Sequence, residues 1–383
     1  MKKKTTTANS GYLEQLTWLR GIAAFFVVIS HIIRATEVDY FSENSTSLPA
    51  ILYSFDLGTF GVLLFFTLSG TTLYISHINK AVPLSHFYIK RFFRIWPAFS
   101  VSLLIYILFQ PIFSTFYTEL QGFWIEKQFV TPYSLNDIIQ YLILSQNVIG
   151  TSGLFNNAYW SLPVEFQYYL IFPLLILSLK YMKFIGPLVI GLVLYLIYKF
   201  NLSHFSQTTV FMLGFSFCGG VTIGYIYSQL LSKEKILTLR FAMPLLLLSF
   251  ITASLIANSL IDLPDYPIIS GVWNWYILLS FVAVIAVLFG KVHLPSKLIK
   301  ILNVCGNISY SAYLFHNLII AALILFCIQF EIVNEWLLFI VFTGTLIGTY
   351  YVAKLSFKYI ESRGISVGRN LCSHLQGFTK KAL

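Results

Sequence analysis

Charge is what this chain has least of. Only 10% of its 383 residues are Asp, Glu, Lys or Arg, against about a quarter in an ordinary soluble domain. That scarcity excludes a water-covered globular enzyme or binding module. Cysteine is sparse too. The four are Cys218, Cys305, Cys327 and Cys372, and their spacing matches neither a metal motif nor a disulfide framework. They read as small buried side chains. No cluster of suitable ligands is spaced for a metal, so no metal is expected. An internal repeat is lacking as well. The largest loop, about 114–157, is too short for a soluble catalytic domain, so any chemistry is expected from the apolar segments themselves.

What is present is hydrophobicity, at 57%, with 17% aromatics. Apolar runs of bilayer-crossing length predict spans near 16–34, 57–78, 97–113, 158–179, 184–200, 208–229, 241–261, 268–289, 302–330 and 335–356. The expected fold is an all-α polytopic transmembrane bundle of about ten spans. The 138–150 stretch is short and polar-flanked, and reads as interfacial or re-entrant. The 302–330 run is long enough to be broken or tilted.

The net charge of +10 does not indicate nucleic-acid binding, because the cations sit in short loops and form no basic domain. Their placement fixes an orientation instead. With the N-terminus in the cytoplasm, inner segments hold most of the cations, among them Lys80, Lys90, Arg91, Arg94, Lys180, Lys183, Lys233, Lys291 and the tail from Lys354 to Lys381. The outer segments hold only Arg34, Lys127 and Lys199, and carry acids such as Glu37, Asp39, Glu119, Asp137, Asp262 and Glu331. Both termini are therefore expected in the cytoplasm. Met1-Lys2-Lys3-Lys4 before an apolar run could begin a signal peptide. Arg20 is wrong for its core and no cleavage site follows, so the run is expected to be an uncleaved first span. Residues 1–360 read as a membrane domain and 361–383 as a basic, partly disordered cytoplasmic tail. Compact loops favour a bacterial inner membrane.

Ionisable groups inside spans are costly and usually face a polar cavity. Arg20 and His31 lie eleven residues apart in one span, which is about three helical turns and roughly 16 Å. They share a face at two depths. A snorkelling Arg20 and a hydrogen-bonded interfacial His31 are the plain alternatives; imidazole also suits a general base. Arg91 and Arg94, at i and i+3, share a helix face just before the third span. They form either an ordinary positive loop or a clamp for the phosphates of a nucleotide-bearing donor. Glu165 lies about seven residues, or ~10 Å, below the outer boundary of its span, near the depth of His31. It is a structural partner for a cation or a catalytic carboxylate. Ser69 and Gly70 favour close helix packing. Asn307, Tyr310 and Tyr313, with Ser309 and His316-Asn317 beside them, form a polar stripe facing a cavity or making a structural network.

These motifs together resemble the acyltransferase-3 family of integral membrane proteins. Arg20 to His31 resembles its Arg-x10-His signature, and Phe65 to Gly70 its Phe-Phe-x-Leu-Ser-Gly element. Arg91 to Arg94 resembles Arg-x-x-Arg, and Trp160 to Tyr169 resembles Trp-Ser-Leu-x-x-Glu-x-x-Tyr-Tyr. Ile308 to His316 resembles Ile-Ser-Tyr-Ser-x-Tyr-Leu-x-His, and Tyr359-Ile360-Glu361 the closing Tyr-x-Glu. Thr71, Pro163 and Ser362 depart from the pattern without removing a candidate group.

The resemblance implies transfer of an acyl group, usually acetyl, from cytoplasmic acyl-coenzyme A to a hydroxyl of an extracytoplasmic or lipid-linked glycan such as lipopolysaccharide O-antigen or exopolysaccharide. Acyl-coenzyme A is then the donor substrate, with no tightly bound cofactor. On this view Arg91, Arg94 and Arg20 bind the donor's charged end. His31 either deprotonates the hydroxyl or carries the acyl group. Glu165 orients His31, Tyr310 or Ser309 stabilises the thioester oxyanion, and Ser69, Tyr313 and His316 line the substrate cavity. An exporter of a lipid-linked or acylated glycan is the rival reading.

Overall fold

The computed structural model describes residues 5–36, 56–77, 83–118, 122–149, 153–200, 210–232, 268–290, 294–332 and 334–381. No strand occurs among them. The helices are α1 (Thr5–Ala35), α2 (Leu57–His77), α3 (Leu84–Phe116), α4 (Leu135–Leu142), α5 (Ser161–Met182), α6 (Ile185–Lys199), α7 (Val210–Ser232), α8 (Ile268–Phe289), α9 (Ser296–Gln329), α10 (Asn334–Ser356) and α11 (Ser362–Lys381). A π turn, Phe357–Glu361, joins α10 to α11, and another, Glu126–Val130, follows a single turn at Gly122–Ile125. In hydrocarbon a segment must satisfy its own backbone, and a helix does so internally. Among the described residues, seven helical stretches are long and apolar enough to cross a membrane. Two further apolar helices, α6 and the Trp275–Phe289 part of α8, are shorter. The expected span at 241–261 lies outside the described residues.

α1 packs against α2 and α9, α2 against α7, α7 against α6, and α9 against α10. Two crossings are set by glycine. A Cβ on Gly306 would sit 2.0 Å from the Thr17 carbonyl oxygen, and one on Gly70 would sit 2.2 Å from that of Phe217. The packing role expected of Gly70 is the one found, since only hydrogen lets these backbones approach so closely. Gly306→Ala should therefore force α1 and α9 apart, costing about 1–3 kcal/mol. A lower thermal midpoint in detergent would register it. An unchanged midpoint would mean that the crossing relaxes freely.

Four segments differ from expectation or sharpen it. α3 starts at Leu84, so Arg91 and Arg94 belong to the long third helix rather than to a loop before it. α9 is a single unbroken helix of 34 residues. The stretch expected as interfacial or re-entrant, 138–150, overlaps α4, which is started by a capping box just before it. There the Ser134 Oγ accepts from the Asp137 amide, and Asp137 Oδ2 accepts from the Ser134 amide at 2.7 Å. The same bonds from Ser134 hold the Asp137 carboxyl below its ordinary pKa.

The tail, expected to be partly disordered, is helical through α11 and packs on α3. Gly364 and Gly368 lie against Phe93 and Pro97, and Cys372 is buried near the His86 carbonyl. Its polarity shows in the sequence. Its glycine contact face is what turns that polar segment into a packed helix.

Candidate active site

A cavity of about 80 Å³ opens among α1, α2, α3, α5 and α9. Arg20, Ser69, Arg91, Arg94, Glu165, Tyr169, Ser309, Tyr310 and Tyr313 line it, with Phe65, Phe66 and Ile95 as apolar wall. These residues come from five helices, so the bundle itself assembles the site. The i, i+3 spacing puts Arg91 and Arg94 on one face of α3, as the sequence requires.

The arginines are held differently. The Arg91 guanidinium lies over the Tyr169 ring at 5.2 Å and over Phe87 at 5.8 Å, which are cation–π contacts. Arg94 lies 3.8 Å from the Glu361 carboxylate. Glu361 is itself fully buried and accepts at 2.9 Å from Ser311 Oγ. Arg20 has Arg94, Glu165 and Glu361 as its charged neighbours, and the Tyr169 hydroxyl donates to Glu165. Three guanidiniums thus face two carboxylates, and the surplus positive charge suits an anionic ligand.

A second cluster surrounds His31, and its hydrogen bonds define each proton. His316 Nδ1 lies 3.1 Å from the Ala312 carbonyl, which can only accept, so Nδ1 carries the hydrogen. In a neutral ring His316 Nε2 then accepts. Asn156 accepts from the Ala158 amide at 2.8 Å and donates to the Leu314 carbonyl at 2.9 Å. Its oxygen therefore faces Asn317 Nδ2, which donates to it at 2.7 Å. That leaves Asn317 Oδ1 as an acceptor. His31 Nδ1 lies 2.7 Å from His316 Nε2 and 2.9 Å from Asn317 Oδ1. Facing two acceptors, Nδ1 must be the protonated nitrogen, and Nε2 keeps the lone pair. The two imidazole rings stack at 5.0 Å. Tyr313, a wall of the arginine cavity, lies 6.0 Å from the His316 ring, so one side chain separates the two clusters.

A family model for an acyltransferase domain matches residues 13–354. The chain belongs to the acyltransferase-3 family. Acyltransferase MdmB of Streptomyces mycarofaciens is 33% identical over 162 residues, which is 42% of this chain and 38% of that protein. The chain thus matches well under half the length of this curated relative. No solved structure matches. The matched acyltransferase domain is built as a bundle of apolar helices.

The two clusters differ in chemistry, one a cavity with surplus positive charge and the other an imidazole with a fixed tautomer. The structure gathers Arg20, Arg91, Arg94, Glu165, Ser69, Ser309, Tyr310 and Tyr313 in one cavity. It joins His31 to His316 and Asn317. It does not join His31 to Glu165, whose partner is Tyr169, one turn along α5. The side-chain contacts with His31 that were expected of Glu165 are made by His316 and Asn317. The oxyanion roles expected of Ser309 and Tyr310 are also unsupported. Ser309 Oγ donates to the Gly306 carbonyl and the Tyr310 hydroxyl to that of Ile95, both at 2.8 Å. Glu361 was legible as part of a closing motif. Its pairing with Arg94 was not, because nothing in a linear sequence brings residue 361 to residue 94.

Proposed function

We propose that the protein transfers an acyl group, acetyl in the simplest case, from cytoplasmic acyl-coenzyme A to a hydroxyl of an extracytoplasmic or lipid-linked glycan in a bacterial inner membrane. The observation that carries this reading is the coupling of the arginine-lined cavity to a histidine whose free nitrogen is fixed by hydrogen bonds. Guanidinium forks match phosphate oxygens, so Arg91, Arg94 and Arg20 would hold the phosphates of the donor. The pantetheine arm would run past Ser309 and Tyr313 toward His31, which would meet the glycan from the other side.

In the direct route, His31 Nε2 takes the proton of the glycan hydroxyl as its oxygen attacks the thioester carbon. The carbon–sulfur bond breaks, and the leaving thiolate recovers that proton. The products are an ester and free coenzyme A. In the alternative route Nε2 itself attacks, and an acyl-histidine passes the group on. Both need the nitrogen that the network leaves unprotonated.

Purified protein in lipid vesicles, given acetyl-coenzyme A and a membrane glycan fraction, should release thiol and form glycan ester in equal amounts. The release should require the glycan. Folded protein that releases no thiol from acetyl-, succinyl- or longer acyl-coenzyme A would overturn the reading and favour export of a lipid-linked or acylated glycan.

A further inference from the structure

Trp124 stands in the single turn Gly122–Ile125, against α1. Its ring lies 6.4 Å from that of His31, tilted by 57°. It is nine-tenths buried, and its Nε1 has no hydrogen-bond partner among the described residues. An indole N–H can only donate, and burying a donor without an acceptor is costly. The turn that carries it is firmly placed. Gln128 Nε2 donates to the Trp124 carbonyl at 3.0 Å, and Gln128 Oε1 accepts from the Asn157 amide at 2.8 Å and from Asn317 Nδ2 at 3.4 Å. The chain of amides that fixes the His31 tautomer therefore also fixes the turn bearing Trp124.

Two neighbouring rings thus present opposite chemistry. His31 Nε2 offers a lone pair and Trp124 Nε1 offers a hydrogen. An alcohol needs both, because its O–H donates while its oxygen accepts. Three hydroxyls of the cavity wall are committed elsewhere. Ser309, Tyr310 and Tyr313 all face backbone carbonyls. We infer that Trp124 is a substrate-binding residue that donates from Nε1 to the oxygen of the accepting hydroxyl while His31 Nε2 receives its proton. This rests on the acyl-transfer reading. It adds the point at which the acceptor is held, on the His31 side of Tyr313 and away from the arginines.

The test separates the N–H from the ring. Trp124→Phe removes the donor and keeps an aromatic ring. Replacing Trp124 with benzothienylalanine puts sulfur in place of N–H at nearly unchanged shape, and guards against a fold defect. Both proteins are assayed in vesicles with acetyl-coenzyme A and the membrane glycan fraction. The half-saturating glycan concentration should rise, or the glycan-dependent turnover fall, by about tenfold, while half-saturation by acetyl-coenzyme A stays put. Full activity of the benzothienyl protein, or an equal loss toward donor and acceptor, would overturn the assignment. Wild-type protein that releases no thiol would instead fail the acyl-transfer reading itself, so the two failures are distinguishable.

Discussion

His31→Ala should lower glycan-dependent thiol release by about a thousandfold or more while the protein still inserts and folds. A positioned general base contributes about 10²–10⁴ in rate, and loss of a covalent acyl carrier would cost at least as much. The size of the effect follows from the uniqueness of Nε2. Of the ring nitrogens in the pair, His316 Nδ1 donates to a carbonyl, His316 Nε2 accepts from His31, and His31 Nδ1 donates. Alanine also strips a partner from His316 and Asn317, both fully buried, so the thermal midpoint must be measured beside activity. A folded variant with activity within tenfold of wild type would remove His31 from the chemistry. Incubation with labelled acetyl-coenzyme A and no glycan separates the two routes, since only an acyl carrier would leave label on the wild-type chain.

The helical bundle was readable because apolar runs of bilayer length have one way to satisfy their backbone. The cavity was readable as well. Arg20, Glu165 and the stripe through Tyr310 and Tyr313 are each costly inside a span, and costly groups converge. The partner of His31 was misjudged for a geometric reason. Span boundaries report depth, and depth placed Glu165 beside His31. They do not report the direction around the helix axis, and α5 turns Glu165 toward Tyr169 and the arginines instead. His316 and Asn317 were already visible on the correct face of their helix. What could not be read was that α9 crosses α1 closely enough for them to reach His31, an approach that depends on Gly306 lying against Thr17. Trp124 left no signal in the sequence, because an unpartnered N–H is visible only once its surroundings are known.

Arg91→Ala combined with Arg94→Ala should raise the half-saturating acyl-coenzyme A concentration about 30- to 100-fold and move that for glycan by less than about threefold. A charge-assisted hydrogen bond contributes about 1.5–3 kcal/mol, or roughly ten- to a hundredfold in affinity per group. The lower end applies here, because Arg94 keeps 29% of its side chain exposed and exposure weakens the attraction. Neighbouring arginines share one ligand, so their effects are not expected to multiply fully. Added salt should weaken donor binding by wild type more than by the double variant. Arg94→Ala carries a side effect, since it leaves the Glu361 carboxylate buried without its nearest cation, and such a loss destabilises the fold. Arg91→Ala is the cleaner single change. Arg91 rests on Tyr169 and Phe87, and Glu165, the carboxylate it neighbours, keeps Arg20 beside it. A folded Arg91→Ala protein with a higher requirement for glycan and an unchanged one for acyl-coenzyme A would assign the cavity to the acceptor and move the donor elsewhere.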